Sequence, residues 1–393
     1  MVTVIHKGAR FIRKKLYAAI EYMKYYLVFP YAKLKYRGNS IYLIAERGTD
    51  ARDNGYHFFK YLREKHPEYD AYYVITPDSA DYSKVAVLGK TVKYRSFQHY
   101  CLFVAAKYKI STHIMGYSPD MLHYMDFNSR HRIPGKQIFL QHGVIKDDLI
   151  GLYQEQTLAD VFICGAYPEY EFVRDRFNYR NNEVKYTGLA RYDNLYDNQV
   201  RNQILVMPTW RQYLKGLDAE GRANSDYFRL WNKLLNDERI VNALRQHRMK
   251  LIFYPHYEMQ PYISCFSSAD NEVEIADFAH YDVQTLLKES KLLVTDFSSV
   301  FFDFAYMRKP CIYFQFDQEK FYTTHYAKGY FDYVDMGFGE VETDYEKLIA
   351  TLLKYIENGC RMDVLYEDRA KQFFPLHDRN NCARIMEEIE KLQ

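Results

Sequence analysis

Apolar and polar positions alternate in blocks along most of the chain. Apolar runs of strand length at Ile41–Ala45, Tyr72–Thr76, Lys109–His113, Gln137–Leu140, Val161–Cys164 and Val184–Thr187 are separated by helical spacing at Gly55–Lys65, Phe97–Lys107 and Glu169–Phe177. After a polar stretch, Tyr192–Asn202, the alternation restarts. Strands are predicted at Ile204–Met207, Leu251–Tyr254, Val273–Ala276, Lys291–Thr295 and Cys311–Phe314, with helices at Tyr227–Asn236, Val283–Glu289 and Ser298–Met307. Strands that alternate with helices imply parallel sheets with crossover connections. The pattern therefore predicts an α/β fold of two Rossmann-type halves facing a central cleft. Helical periodicity at Tyr345–Glu357 and Asn380–Leu392 predicts terminal helices that cross back to brace the first half. The expected divisions are a basic segment at 1–37, a first domain at 38–191, a linker at 192–202, a second domain at 203–375 and a bracing helix at 376–393.

Charge changes this picture at the beginning. Residues 1–37 carry nine Lys or Arg against the single acid Glu21, a net of +8, with Phe11, Ile12, Leu16, Ile20, Met23 and Leu27 at roughly helical spacing. Such a segment suits a helix lying on anionic headgroups, with Lys7, Arg10, Arg13, Lys14 and Lys15 as its surface contacts. It contains no continuous apolar core of the signal-peptide kind, and no window of the chain is apolar enough to span a bilayer. The protein is thus expected at the cytoplasmic face of the cell membrane, peripherally bound. Over the whole chain 53 basic residues meet 51 acidic ones, so no global field commits it to nucleic acid. With 48% hydrophobic residues, 17 Gly and 11 Pro the chain is globular. Its 40 Tyr and 26 Phe against 2 Trp point to half-wet interfaces. The six cysteines form no CxxC and are expected as buried, reduced thiols.

Several standard signatures fail. Gly89-Lys90-Thr91 ends like a P-loop, but Lys84 stands where its first glycine is required, and Gly337-Phe338-Gly339 is followed by Glu342 in place of a third glycine. No HExxH or ordered Cys/His spacing exists, so no metal or cofactor is expected.

Polar residues instead follow the apolar strands, where a cleft would expose them. Gln141-His142-Gly143-Val144-Ile145-Lys146 combines an imidazole, a glycine that admits close backbone approach, and a cation one turn on if a helix starts there. Pro208-Thr209-Trp210-Arg211 aims a hydroxyl and a guanidinium suited to phosphate. Tyr254-Pro255-His256 supplies a second histidine, and one from each half suits acid–base and charge-stabilising work around a phosphate. Ser298 and Ser299 at a helix start form an anion cradle, with Asp303 one turn further as a ligand for a sugar or glycerol hydroxyl. Arg191 is placed either to reach phosphate or to serve as an interdomain ion pair, and Asp193 would hold it.

In this order, these residues resemble the CDP-glycerol glycerophosphotransferase family, which builds teichoic acids and related polymers. The resemblance covers about residues 38–392. It includes Arg47-Gly48-Thr49-Asp50-Ala51-Arg52-Asp53-Asn54-Gly55, Gln141-His142-Gly143 with Lys146, Gly188 with Arg191 and Asp193, Pro208-Thr209-Trp210-Arg211, Pro255-His256, Thr295-Asp296-Phe297-Ser298-Ser299 with Asp303, and Lys309-Pro310. Phe297 stands where the family usually has Tyr, and the length resembles the short members. The resemblance implies a GT-B-like fold and transfer of glycerol phosphate, or a related polyol phosphate, from a CDP-polyol. The acceptor would be a polyprenyl-linked saccharide or a growing teichoic-acid or capsule-like polymer, and CMP would be released. It implies His142 as the base, with His256 the second catalytic residue. The donor would meet His142, Gly143, Val144, Ile145, Lys146, Arg191, Pro208, Thr209, Arg211, Tyr254, Pro255, His256, Ser298, Ser299 and Asp303. The alternative is a GT-B glycosyltransferase using a UDP-sugar.

Overall fold

Every residue of Ile41–Ala45 is buried, as expected of a strand covered on both faces, and this segment forms β1. The computed structural model describes residues 2–120, 133–180, 182–196, 199–324 and 327–392, with side chains from residue 16 onward except that of residue 219. In the first half β1 is joined by β2 (Asp70–Val74), β3 (Lys90–Val92), β4 (Tyr108–Ser111), β5 (Lys136–Phe139), β6 (Val161–Cys164) and β7 (Val184–Tyr186). The second half contains β8 (Gln203–Met207), β9 (Lys250–Phe253), β10 (Val273–Ile275), β11 (Leu292–Thr295), β12 (Cys311–Phe314) and β13 (Gly339–Glu342).

Among the described residues the sheets run β3-β2-β1-β4-β5-β6-β7 and β10-β9-β8-β11-β12-β13, with parallel pairing throughout. Each half reverses its strand order beside its own first strand, between β1 and β4 and between β8 and β11. Loops leaving the carboxyl ends of strands at such a reversal open a crevice, the usual ligand position in open α/β sheets. The two crevices of this GT-B-like fold are where the candidate residues lie.

Two edge strands lie at the glycine motifs rejected above. Gly89 precedes β3, and Gly339 opens β13, where a Cβ would stand 1.7 Å from the Cys311 carbonyl oxygen on β12. Gly339 is there so that one backbone can approach another.

Helix α1 (Val2–Lys35) packs on α3 (Phe97–Ala105), Tyr25 meeting Tyr100 edge-on at 5.5 Å. The side chains of Lys7, Arg10, Arg13, Lys14 and Lys15 lie outside the described residues. Helix α2 (Asn54–Lys65) follows β1, and α4 (Val300–Tyr306) follows β11. Helix α5 (Asn381–Glu390) returns from the end of the chain to the first half. There the Asp193 carboxylate accepts the Asn381 and Cys382 N–H groups, each at 2.9 Å, and Lys185 pairs with Glu388 at 2.7 Å.

The aromatic surplus is spent largely in the core and in the seam between halves. Tyr192 stacks on Tyr306 at 4.0 Å with Phe374 edge-on to both. Five cysteines are buried free thiols; Cys265 is exposed, because it ends an irregular surface run, Tyr257–Cys265.

Candidate active site

The chemistry of the first half starts at the turn between β1 and α2. Asp53 sits at the N-cap of α2 with extended backbone (φ −135°) and accepts the Asn54 N–H at 2.8 Å. Its carboxylate also receives His142 Nδ1 and, at 2.8 Å, Arg191 Nη1. Those two positive partners hold the Asp53 carboxyl well below the usual carboxylate range although it is buried. Asn54 ties three segments together, donating to the Gln141 carbonyl at 2.8 Å and accepting the Arg191 N–H at 3.0 Å.

Two buried carboxylates shape the loops beneath. Glu46 accepts the N–H groups of Arg52, Asp53 and Tyr56 at 2.9, 2.8 and 3.0 Å. Glu169 accepts those of Ile145, Gly165 and Ala166 at 2.6, 2.7 and 3.3 Å. Burial pushes each up to about 7, with the Asp53 charge adding to the effect at Glu46. Glu46 thereby fixes the turn that carries Asp53, and Glu169 fixes the loop that carries His142.

With Nδ1 donating to Asp53, the ring of His142 presents Nε2 to the cleft, and its side chain is 74% exposed. The Asp53 charge raises the imidazole above its ordinary value, and the Arg191 and Arg47 charges oppose that shift. His113 stands edge-on to it, ring centroids 5.2 Å apart. A neutral His142 held in this tautomer is a proton acceptor aimed at solvent.

Across the cleft His256 follows β9. Its Nδ1 accepts the Glu258 N–H at 3.2 Å, so the neutral ring carries its proton on Nε2. Burial, with the His142 charge, pushes it down to about 4, which keeps it neutral at physiological pH. One imidazole is thus arranged to accept a proton and the other to donate a hydrogen bond.

The structure corrects several site expectations. Arg211 does not face the cleft: it is fully buried, held by Asp296 at 2.8 Å, by Asp317 at 2.7 and 2.9 Å, and by the Thr209 carbonyl at 2.8 Å. Its guanidinium lies among the rings of Phe297, Tyr227 and Phe321, 5.1–5.3 Å from their centroids. A buried guanidinium must be neutralised: Asp317 and the Thr209 carbonyl take its donors, and Asp296 adds a second opposite charge beside it. Arg211 therefore braces the loop carrying Thr209, whose N–H is held by Asp296 at 2.8 Å.

Arg191 and Asp303 likewise face one another. Asp303 accepts Arg191 Nε and Nη2 at 2.7 Å each, a bidentate pair joining the halves, and Arg191 Nη1 adds the His142 carbonyl at 2.7 Å. Each oxygen of Asp303 accepts one Arg191 N–H, so this carboxylate joins the two halves at the seam. Asp193 serves α5 instead of Arg191. No helix starts at Lys146; the residue is buried and paired with Asp147. Val144, Ile145, Tyr254 and Pro255 are buried, with the Ile145 N–H already given to Glu169. Helix α4 begins at Val300, two residues later than expected.

What the structure does bring together is Gly143, Arg191 and Ser299. A Cβ on Gly143 would lie 3.5 Å from both Arg191 Nη2 and Ser299 Oγ, so the His142 loop of one half touches the serine pair of the other. Pro208 is buried beside Thr209, Thr209 Oγ1 is buried without a hydrogen-bond partner, and Ser298 and Ser299 are half-buried. Among the described residues no group of three His, Cys, Asp or Glu side chains is placed to hold a metal ion.

Asp53, Asn54, Glu46, Glu169 and His113 are the site residues to which sequence reasoning gave no role. Only Asp53 and Asn54 carried a local signal: Asp or Asn just before a predicted helix is an N-cap candidate.

The site can be set against known proteins. Residues 27–391 match the family described as CDP-glycerol:poly(glycerophosphate) glycerophosphotransferase. The chain is 35% identical over 363 residues to the minor teichoic acid biosynthesis protein GgaB of Bacillus subtilis (strain 168), a match covering 90% of this chain and 40% of that protein. It is 28% identical over 228 residues to a teichoic acid poly(glycerol phosphate) polymerase of Bacillus spizizenii, covering 58% of this chain and 53% of the relative. The chain thus spans about half the length of these relatives. The solved wall teichoic acid polymerase TagF superposes with a TM-score of 0.67 at 17% identity over 97% of this chain and 96% of that one. A UDP-GlcNAc 2-epimerase from Neisseria meningitidis shares the fold at a TM-score of 0.53 and 13% identity, covering 89% and 99% of the two chains.

Proposed function

Because the chain belongs to the CDP-glycerol:poly(glycerophosphate) glycerophosphotransferase family, we propose that it moves glycerol phosphate, or a related polyol phosphate, from a CDP-polyol to a hydroxyl of a teichoic-acid-like acceptor. The observation that carries this reading is the Asp53–His142 dyad, whose open Nε2 faces the cleft opposite a neutral His256. His142 Nε2 takes the acceptor hydroxyl proton as the oxygen attacks the distal phosphorus. The new P–O bond forms, the bond to the CMP oxygen breaks, and CMP leaves. Asp53 steadies the imidazolium. His256 Nε2–H and the Ser298–Ser299 turn supply donors to the transferred phosphoryl oxygens, because phosphoryl transfer is won by positioning and electrostatics. Wild-type protein is expected to release CMP from CDP-glycerol or CDP-ribitol only when an acceptor hydroxyl is supplied, by a lipid-linked acceptor or by a soluble polyol that mimics its end. Release from neither donor would refute the reading.

The acceptor's lipid places the reaction at a membrane, and α1 offers the contact. Leu16, Ile20, Met23, Leu27, Tyr31 and Leu34 recur every three or four residues and are exposed, Leu27 and Leu34 at 72% and 79%, whereas Tyr25, Val28 and Ala32 on the opposite face are buried. The stripe runs about 27 Å along the helix, with exposed Lys33 and Lys35 beside it. No described helix is long and apolar enough to cross a membrane. An apolar stripe with basic neighbours suits the plane of an anionic leaflet. The Leu27→Glu/Leu34→Glu variant is expected to lose at least about tenfold in flotation with phosphatidylglycerol vesicles, because carboxylates are repelled by that surface. Equal flotation of the two proteins would place the contact elsewhere.

A further inference from the structure

Three neighbouring strands deliver three polar side chains to one edge of the first half. Ala45 of β1, Ser111 of β4 and Phe139 of β5 are in register. Arg47 and His113 each lie two residues beyond those ends, and His142 lies three beyond. Their loops are pressed together: the Ser111 hydroxyl reaches the Glu46 carbonyl at 3.5 Å, and a Cβ on Gly116 would fall 1.7 Å from that same oxygen.

Donor capacity is left over there. Asp50 takes one edge of the Arg47 guanidinium, a single oxygen receiving Nε at 2.9 Å and Nη2 at 2.6 Å. Nη1 has no partner among the described residues, and the side chain is 52% exposed. The ring nitrogens of His113 also have no partner among the described residues, although the ring stands 5.2 Å from that of His142. Arg191, the other guanidinium beside His142, is committed to Asp53, Asp303 and the His142 carbonyl.

We propose that Arg47 and His113 form an acceptor subsite that holds a phosphodiester one polyol unit away from the attacking hydroxyl. The inference rests on the transferase reading above and assigns a location to the acceptor. The donor-side groups Thr209, His256, Ser298 and Ser299 belong to the second half, whereas Arg47 and His113 lie on the first. A hydroxyl seated at His142 Nε2 therefore directs the chain behind it toward them. Asp50 offsets part of the Arg47 charge, which suits a mono-anionic diester better than a dianionic monoester. A polymer end carries such a diester; a bare sugar does not.

The test compares two soluble acceptors, glycerophosphoglycerol and uncharged diglycerol, in CDP-glycerol-dependent CMP release. The ratio of their kcat/KM values is expected to fall at least about tenfold in Arg47→Gln, the scale of a lost charge-assisted hydrogen bond, and to fall in the same direction in His113→Gln. Binding of CDP-glycerol alone should stay within about twofold. An unchanged ratio would overturn the subsite, and weakened CDP-glycerol binding would move Arg47 to the donor. If wild-type protein releases no CMP the transferase reading fails first. Calorimetric titration with glycerophosphoglycerol then decides the subsite alone: binding lost in Arg47→Gln supports it, and no binding to wild type, or equal binding to both proteins, refutes it.

Discussion

Replacing His142 with Ala is expected to lower CMP release at saturating CDP-glycerol by about 10²–10⁴-fold, the usual contribution of a positioned general base, while CDP-glycerol still binds. The two effects separate in the proposed reaction, where His142 serves the acceptor hydroxyl and the proposed donor-side groups lie on the other half. The loop itself survives the change, since Glu169 holds the Ile145 N–H and Asn54 holds the Gln141 carbonyl. Asp53 keeps Arg191 as a partner when the imidazole is gone. Asp53→Asn gives an independent check through pH. The rate should rise with pH as His142 loses its proton, with a limb above the ordinary histidine value, because the adjacent Asp53 carboxylate stabilises the imidazolium more than the nearby guanidinium charges disfavour it. Removing that charge lowers the imidazole, so the limb should move to lower pH even as the maximal rate falls. His256, pushed down to about 4, adds no limb near neutrality. A His142→Ala protein with full turnover, or an Asp53→Asn limb at higher pH, would remove the dyad from the mechanism.

How much of this was legible in the sequence follows a physical line. Strands buried on both faces read clearly, because their apolar runs carry the signal themselves: β1, β6, β8 and β12 were visible within a residue or two. Edge strands β3 and β13 were not, since each is short, half-polar and preceded or opened by a glycine of a failed phosphate motif. The strand-end polar groups were visible as a class. Which of them face the cleft was not, because a guanidinium on a loop looks the same in sequence whether it meets solvent or two buried carboxylates. Arg211 is the clearest case: its partners Asp296 and Asp317 lie 85 and 106 residues on, at spacings that no local pattern reports. Asp53 and His142 are 89 residues apart for the same reason, and only the β1–β4–β5 adjacency brings their loops together. Glu46 and Glu169 act wholly through backbone N–H groups, which leave no side-chain signature.

Arg191→Met is expected to cost about 3–5 kcal/mol of stability, the penalty for leaving buried carboxylates without their cation. Arg191 is the hub of the seam: one guanidinium satisfies Asp303 of the second half at two points, Asp53 of the first half, and the carbonyl of His142. Methionine fills the volume and supplies none of those donors, so Asp303 is left buried and unpaired while Asp53 retains only His142. Lysine does not rescue the site, because a point charge cannot span the planar fork that the two-oxygen contact uses. A double-mutant cycle separates the ion pair from simple packing. Asp303→Leu removes the orphaned charge, so Arg191→Met/Asp303→Leu should be more stable than Arg191→Met alone, giving a coupling of about 1–3 kcal/mol in urea denaturation. Catalysis should not recover with stability in the double variant, since Asp53 has still lost the cation that holds it against His142. Additive losses in the cycle would show that the halves are joined by the stacked Tyr192 and Tyr306 rings, and that Arg191 does no more than fill the space between Asp53 and Asp303.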